Sequence, residues 1–200
     1  NLLKRLESSV NSFRLTLIRI HDFIKDSITA IDKFQESGAD TIDVTDFSED
    51  FDTEDNENDP FVGRKSKINL RDMDYVSWRR DLKADLEVLE LLIFMLKDIT
   101  PEHDTKLQQL VADLKNKFEH PINGSNKKVL IFTAFADTAN YLYEQLSCRI
   151  LNDCGLHTAL ITGSTEGKCT LPKLKCTFND ILTYFSPLSK DRDAIHPNDT

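Results

Sequence analysis

Gly163, Gly167 and Lys168 follow an apolar run, the setting in which a phosphate-binding loop occurs in α/β proteins. A Walker A loop has four residues between its glycines, followed by Lys and by a Ser or Thr whose hydroxyl binds the metal ion. Here three residues separate the glycines, and Cys169 follows the lysine. Glu166 would also place a carboxylate beside the phosphate. The pattern therefore does not favour a nucleotide-binding P-loop.

Two further patterns resemble metal sites, and each lacks a required feature. One is an acidic stretch that fits positions 1, 3, 5 and 12 of a calcium loop but has Phe51 where the sharp turn needs Gly. Its four matching residues are Asp46, Ser48, Asp50 and Glu57. The other is the set of four cysteines, which contains no CxxC pair. We therefore expect no metal site, and free thiols at Cys148, Cys154, Cys169 and Cys176.

The negative charge of the chain is concentrated in one segment. The formal net charge is -9, yet ten of the 34 acidic residues lie between Asp40 and Asp59, a stretch without Lys or Arg. The rest of the chain is close to neutral, so its charge does not exclude a nucleic-acid partner. Low periodicity and high charge predict a disordered, solvated insert over residues 40–60.

The first part of the chain is predicted to be helical. Apolar residues at spacings of three and four predict long amphipathic helices over 2–34 and 72–98, which we expect to pair as an antiparallel hairpin. Ser37-Gly38 ends the first helix, and Pro101 opens a third helix over 101–118. The Trp78-Arg79-Arg80 triplet suits either a nucleic-acid contact or a core tryptophan with solvated neighbours.

The pattern changes to α/β after Lys127. KKVLIFTAF (127–135) reads as a strand buried on both faces. Residues 136–154 are predicted to form a helix that Gly155 caps. A second strand is predicted over residues 157–163, and a short helix over residues 178–185. Strand, helix and strand at these lengths predict a right-handed parallel βαβ unit. The expected fold class is α/β, mostly helical by residue count, with a long helical hairpin packed on a partial parallel lobe.

Two domains are predicted from these elements: a helical region over 1–120 and an α/β region over 121–200. The α/β region has fewer strands than a doubly wound domain requires, and the chain begins within a helical pattern. We therefore expect a piece of a longer protein. No secretory signal or membrane-spanning run occurs, which favours a cytoplasmic protein without a membrane partner.

Four segments in this order resemble the bacterial Swi/Snf-related helicases. VLIFTAFADTANYLYEQL (129–146) resembles helicase motif IV at the start of the second RecA-like lobe. LLKRLESSVNSF (2–13) resembles the helix that follows the first lobe. LITGSTEG (160–167) resembles the second strand of the second lobe and the glycine turn after it. FNDILTYFSPLSKDRD (178–193) resembles the helix that leads to motif V.

This resemblance implies an ATP-dependent translocase on double-stranded DNA, in which ATP and Mg²⁺ bind between two RecA-like lobes. The N-terminal RecA-like lobe of the same chain would then be a partner of this region. The sequence holds no P-loop, DExx box or arginine-finger motif, so we expect it to be inactive alone. By this resemblance motifs V and VI would follow Thr200, whereas a reading frame that stops near Thr200 would favour an interaction module.

The resemblance also implies a role for the glycine turn. The second lobe of such helicases grips the nucleic-acid backbone from the carboxyl edge of its sheet, where hydroxyls and amides bind phosphate without reading sequence. Four residues are predicted to make these contacts: Thr133, Ser164, Thr165 and Lys168. The alternative is that they only form turns.

Two other functions remain open from the sequence. A non-enzymatic module could bind protein partners through its helices, with the acidic tract facing a basic partner. A small Rossmann-like nucleotide or sugar-phosphate binder is a third possibility, although the chain has no GxGxxG motif.

Overall fold

The computed structural model describes residues 2–37, 42–44, 66–68, 70–163 and 167–190. These residues are mostly helical, with two small antiparallel sheets of two strands each. The chain divides into one unit of residues 1–100 and another of residues 101–200. Over the described ranges, no helix combines the length and the apolar character that crossing a bilayer requires.

The first unit is built on two long helices. Its elements are α1 (Leu2–Ser8), α2 (Val10–Ser37), β1 (Ile42–Val44), β2 (Ser66–Ile68), a 3₁₀ turn (Leu70–Asp72) and α3 (Tyr75–Leu96). The C-terminal end of α2 and both ends of α3 lie within a few residues of the positions that the apolar periodicity predicts. The single helix predicted over 2–34 is interrupted at Ser9, which starts α2 as its cap. The Ser9 hydroxyl accepts a hydrogen bond from the Ser12 amide at 3.0 Å.

The two long helices run antiparallel, as the sequence predicts for a hairpin. Asp32, late in α2, contacts Arg79, early in α3, whereas His21 lies near Glu90 further along α3. The interface between them is apolar. Its buried residues are Ile24, Ile28, Ile31, Leu70 and Leu82, with Trp78, Leu86 and Leu89 packed alongside. The apolar stripe of α2 is therefore covered by α3.

Part of the segment predicted as disordered forms a strand. Residues 42–44 pair antiparallel with residues 66–68, and Ile42 lies opposite Ile68. The prediction of a structureless loop is therefore wrong at residues 42–44. The rest of the acidic insert, with the calcium-loop positions Asp46, Ser48, Asp50 and Glu57, lies outside the described residues.

The second unit contains three helices and one small sheet. Its elements are α4 (Thr105–Glu119), α5 (Ala136–Cys154), β3 (Ala159–Leu160), β4 (Lys168–Cys169) and α6 (Phe178–Phe185). The bounds of α5 and α6 match the sequence prediction, and Gly155 ends α5 with a left-handed φ of 66°. Pro101 does not open α4, because Asp104 caps the helix and Pro101 lies in the preceding turn, where its carbonyl accepts from the Asp104 amide.

The predicted buried strand and parallel βαβ unit do not appear among the described residues. Residues 127–133 have no regular secondary structure, and Leu130 and Phe132 are 63% and 88% exposed. A strand buried on both faces needs a neighbouring strand, and this segment has none in the described ranges. The predicted second strand is reduced to β3, which pairs antiparallel with β4 through Ala159 opposite Cys169.

A buried carboxylate joins α4 to α5. The Asp104 Oδ1 atom accepts from the Leu107 amide at 3.1 Å, and Oδ2 accepts from the Tyr141 hydroxyl at 3.0 Å. Both side chains lie beside a shared apolar core. The buried members of that core are Leu107, Val111, Leu114, Phe118, Tyr141 and Leu146. One residue therefore caps α4 and fixes its position against α5.

Replacing Tyr141 with Phe should destabilise the second unit by about 1–2 kcal/mol, because it leaves a buried Asp104 oxygen without its donor. The free energy of unfolding can be measured by urea denaturation followed by far-UV circular dichroism. Tyr143→Phe is the control on the same helix, since none of the hydrogen bonds described here uses its hydroxyl. Equal losses in the two variants would contradict a specific role for the Asp104–Tyr141 bond.

Candidate functional site

Of the predicted nucleic-acid contacts, Lys168 lies on the β3–β4 hairpin of the second unit. Beyond the strands, Thr170 extends the pairing: its amide donates to the Thr158 carbonyl at 2.9 Å, and its hydroxyl accepts from the Thr158 amide at 2.9 Å. His157 Nδ1 lies 3.2 Å from the same hydroxyl. These bonds hold a sheet that has only two residues in each strand.

Gly167 allows a close backbone approach at the start of β4. A Cβ atom at this position would lie 2.3 Å from the Cys176 carbonyl oxygen, 2.9 Å from the Ile181 Cδ1 atom and 3.2 Å from the Leu160 carbonyl oxygen. Such short distances leave no room for a side chain. Gly167 therefore packs the hairpin against the segment that enters α6, which explains this glycine without a bound phosphate.

Lys168 extends from β4 toward the N-terminal half of α5. Its Nζ atom donates to the Asn140 Oδ1 atom at 3.3 Å, while the Asn140 amide nitrogen donates to the Ala136 carbonyl at 3.0 Å. Lys168 is exposed, so its charge also faces solvent. The hairpin thus places a cation beside the first turns of a helix, the end at which backbone amides favour anions. Asp137, in the first turn, adds an opposing negative charge.

Thr133 lies at the same end of α5. It precedes Phe135, the N-cap residue, and the Phe135 amide approaches the Thr133 hydroxyl at 3.4 Å. Ser164 and Thr165 lie outside the described residues. Of the four predicted contacts, the structure therefore places Thr133 and Lys168 near one helix end.

Sequence reasoning missed Asn140, which orients the lysine. It is one of several polar residues on α5, and only the fold of the hairpin over that helix distinguishes it from the others.

Trp78 and Arg79 contact α2, whereas Arg80 faces solvent. Trp78 packs on the interface of α2 and α3, and the Arg79 Nε atom donates to the Asp32 Oδ1 atom at 2.5 Å. This bond with Arg79 holds the pKa of Asp32 below its usual value. Arg80 pairs with its neighbour Asp81. The structure therefore favours the core-tryptophan interpretation of this triplet.

A cleft of about 300 Å³ lies between α4 and α5. Its polar lining includes Glu102, Gln108, Gln145 and Arg149, and Gln108 already donates to the Pro101 carbonyl. The lining contains no Ser, Cys or His that would act as a nucleophile or base. Across the described parts of the chain, no group of three or more His, Cys, Asp or Glu residues is placed to hold a metal ion.

Replacing Gly167 with Ala should destabilise the second unit by about 1–3 kcal/mol, since the new methyl group meets backbone that cannot rotate away. Thermal and urea unfolding of the variant will measure this loss. Gly124→Ala is the matched control: its φ is 59°, but nothing lies within 4 Å of the added carbon, so only backbone strain of about 1 kcal/mol is expected. A Gly167→Ala variant as stable as the parent would show that the approach to Cys176 is not constraining.

Comparisons with protein families, with curated proteins and with solved structures find no match for this chain. Its residues and their contacts are therefore the basis for a functional proposal.

Proposed function

We propose that this chain is part of an ATP-driven translocase of the Swi/Snf-related type that moves on double-stranded DNA. In this proposal the second unit belongs to a RecA-like lobe and contacts the DNA backbone, while the helices of the first unit couple movements of the two lobes. ATP and Mg²⁺ would bind only together with the N-terminal RecA-like lobe, and the chain alone would not hydrolyse ATP.

The exposed apolar segment before α5 is the observation that carries this proposal. Residues 129–132 have the composition of a central strand, yet Leu130 and Phe132 are largely exposed and unpaired. Contiguous exposed apolar residues mark surfaces that a further element covers. In a RecA-like lobe the equivalent segment is a strand of a parallel sheet, immediately followed by a helix. Here α5 begins four residues after the segment.

Lys168 supports the DNA contact. Its position beside α5, held by Asn140, suits a phosphate oxygen better than a base edge, because a single ammonium group and backbone amides carry no base-specific pattern. Binding through such groups is independent of sequence and sensitive to salt.

We expect the chain to bind a fluorescently labelled DNA duplex weakly, with a Kd in the range of about 10⁻⁶–10⁻⁴ M at physiological salt. Lys168→Ala should reduce the slope of log K against log salt concentration by about one. Lys115→Ala is the control, because Lys115 is exposed but pairs with Asp153 on α5. Fluorescence anisotropy at several salt concentrations gives both quantities. Absence of salt-dependent binding, or equal slopes for the two variants, would contradict the DNA contact.

A second candidate function, binding of a protein partner, is favoured by a second apolar face on α3. Its exposed members follow the spacing i, i+3, i+4, i+7 of a helix-packing stripe. They are Val88, Leu91, Leu92 and Met95. They lie on a different face from Leu82, Leu86 and Leu89, which pack on α2. Leu17, Ile24, Ile28 and Ile31 of α2 are already buried, so α3 offers the available surface.

If this stripe binds a helix of a second copy, the chain should dimerise with a concentration-dependent mass. Sedimentation equilibrium over about 1–100 μM would detect this. Replacing both Leu91 and Met95 with Glu should abolish it, because two carboxylates would be buried without partners. Val76→Glu changes an exposed apolar residue of α3 outside the stripe and should have no effect. A mass that stays monomeric throughout would remove self-association as the function of this face.

A further inference from the structure

Cys169 and Cys176 lie in direct contact in the second unit. Cys169 ends β4, Cys176 lies just before α6, and their Sγ atoms are 2.9 Å apart. A disulfide bond is about 2.05 Å long, so the two sulfur atoms need to approach by less than about 1 Å. Both cysteines are free and half-buried, which leaves the pair within reach of small reagents.

The backbone holds this contact from both sides. Thr170, directly after Cys169, is bonded to Thr158 through its amide and its hydroxyl. Thr177, directly after Cys176, caps α6 by accepting from the Asp180 amide at 3.2 Å. Each sulfur atom is therefore carried by a residue whose neighbour is fixed by hydrogen bonds.

The loop between the two cysteines is bent sharply to bring them together. Pro172 is followed by Lys173, which has a φ of 65°, a conformation that favours glycine. Pro followed by a residue with positive φ is the pattern of a type II turn. Gly167 allows the chain at Cys176 to approach β4 closely. The strained turn and the missing side chain both serve the approach of Cys176 to Cys169.

We propose that Cys169 and Cys176 form a reversible dithiol–disulfide modification site, oxidised by small-molecule disulfides such as oxidised glutathione. This inference is independent of the proposed DNA translocase. It rests on the contact of the two sulfur atoms and on the anchoring of both by the neighbouring backbone.

The reaction is a two-step exchange in which atoms and electrons balance. The thiolate of one cysteine attacks a sulfur of oxidised glutathione, so a mixed disulfide forms and one glutathione thiolate leaves. The second cysteine then attacks the protein sulfur of this mixed disulfide and releases the other glutathione. Two protein thiols are oxidised, one glutathione disulfide is reduced to two thiols, and the two cysteine protons pass to the released glutathione.

The surroundings of the pair agree with a slow but selective reaction. Burial, together with the hydrogen bond from Cys176, raises the pKa of Cys169, which lowers its thiolate fraction at neutral pH. Burial also raises the pKa of Tyr143 on α5, with smaller contributions from Cys169, Cys176 and Cys148. The exposed lysines Lys173 and Lys175 lie in the same loop, and their positive charge favours the approach of anionic glutathione.

The test uses the full chain equilibrated with mixtures of reduced and oxidised glutathione. Remaining thiols are alkylated, and peptides are mapped by mass spectrometry. We expect the peptide or peptides that contain Cys169 and Cys176 to lose two hydrogens, whereas Cys148 and Cys154 are alkylated. Dithiothreitol should restore four alkylated cysteines. The oxidised chain should also unfold at a temperature at least about 5 °C higher, because closing the loop restricts the unfolded state.

Two variants test whether the disulfide forms specifically between Cys169 and Cys176. Cys148→Ser with Cys154→Ser should leave the disulfide unchanged, because these residues lie apart on α5 and outside the pair. Cys176→Ser should stop at a mixed disulfide or an unmodified thiol at Cys169. Equal reactivity of all four cysteines, or a stable mixed disulfide at Cys169 or Cys176 in the unaltered chain, would overturn the proposal. The mapping of the unaltered chain decides this even if a variant does not fold.

Discussion

The structure of each unit depends on the burial of the apolar stripe of one helix against a second helix. In the first unit α2 packs its isoleucines against α3, and in the second α4 packs Leu107, Val111 and Leu114 beside α5. Each fully buried side chain of this size contributes about 1.5–3 kcal/mol. The small sheets add little by comparison, since β3 and β4 have two residues each. Helix pairing is therefore the main source of stability in the described chain.

Polar groups then determine how the helices are placed. Asp104 accepts from a buried amide in the first turn of α4 and also binds Tyr141, so the end of one helix is tied to the side of another. Asp32 and Arg79 make a related link between α2 and α3, closer to solvent. Such bonds contribute less free energy than the apolar contacts, but they form only when donor and acceptor are correctly oriented. They select one alignment among those that the apolar stripes would permit.

Local signals explain which elements the sequence predicts well. Gly155 ends α5 and Thr177 starts α6 through contacts within a few residues, so both helices begin and end where the pattern indicates. The sequence predicts a strand over residues 127–135 because their composition fits one. Strand formation, however, requires a hydrogen-bonded neighbour, and composition carries no information about its presence. The cap at Asp104 was missed because Pro101 gave a competing signal for the start of the same helix.

In the candidate sites, too, the sequence identifies single residues but not the partners that the fold brings to them. Lys168 was identified from its residue type and position, whereas its partner Asn140 becomes apparent only when the hairpin folds over α5. The contact between Cys169 and Cys176 depends on the turn at Lys173, which lies between the two cysteines, and on the absence of a side chain at Gly167, nine residues before Cys176. Sequence spacing alone does not place the two sulfur atoms together.

Trp78 is the single tryptophan of the chain, and it packs on the interface between α2 and α3. Its fluorescence emission therefore reports the folding of the first unit without a contribution from another indole. Excitation at the red edge of the protein absorption band, where tyrosine contributes little, would follow that unit while circular dichroism follows both. The position of one aromatic residue thus makes it possible to determine whether residues 1–100 and residues 101–200 unfold in one transition or in two.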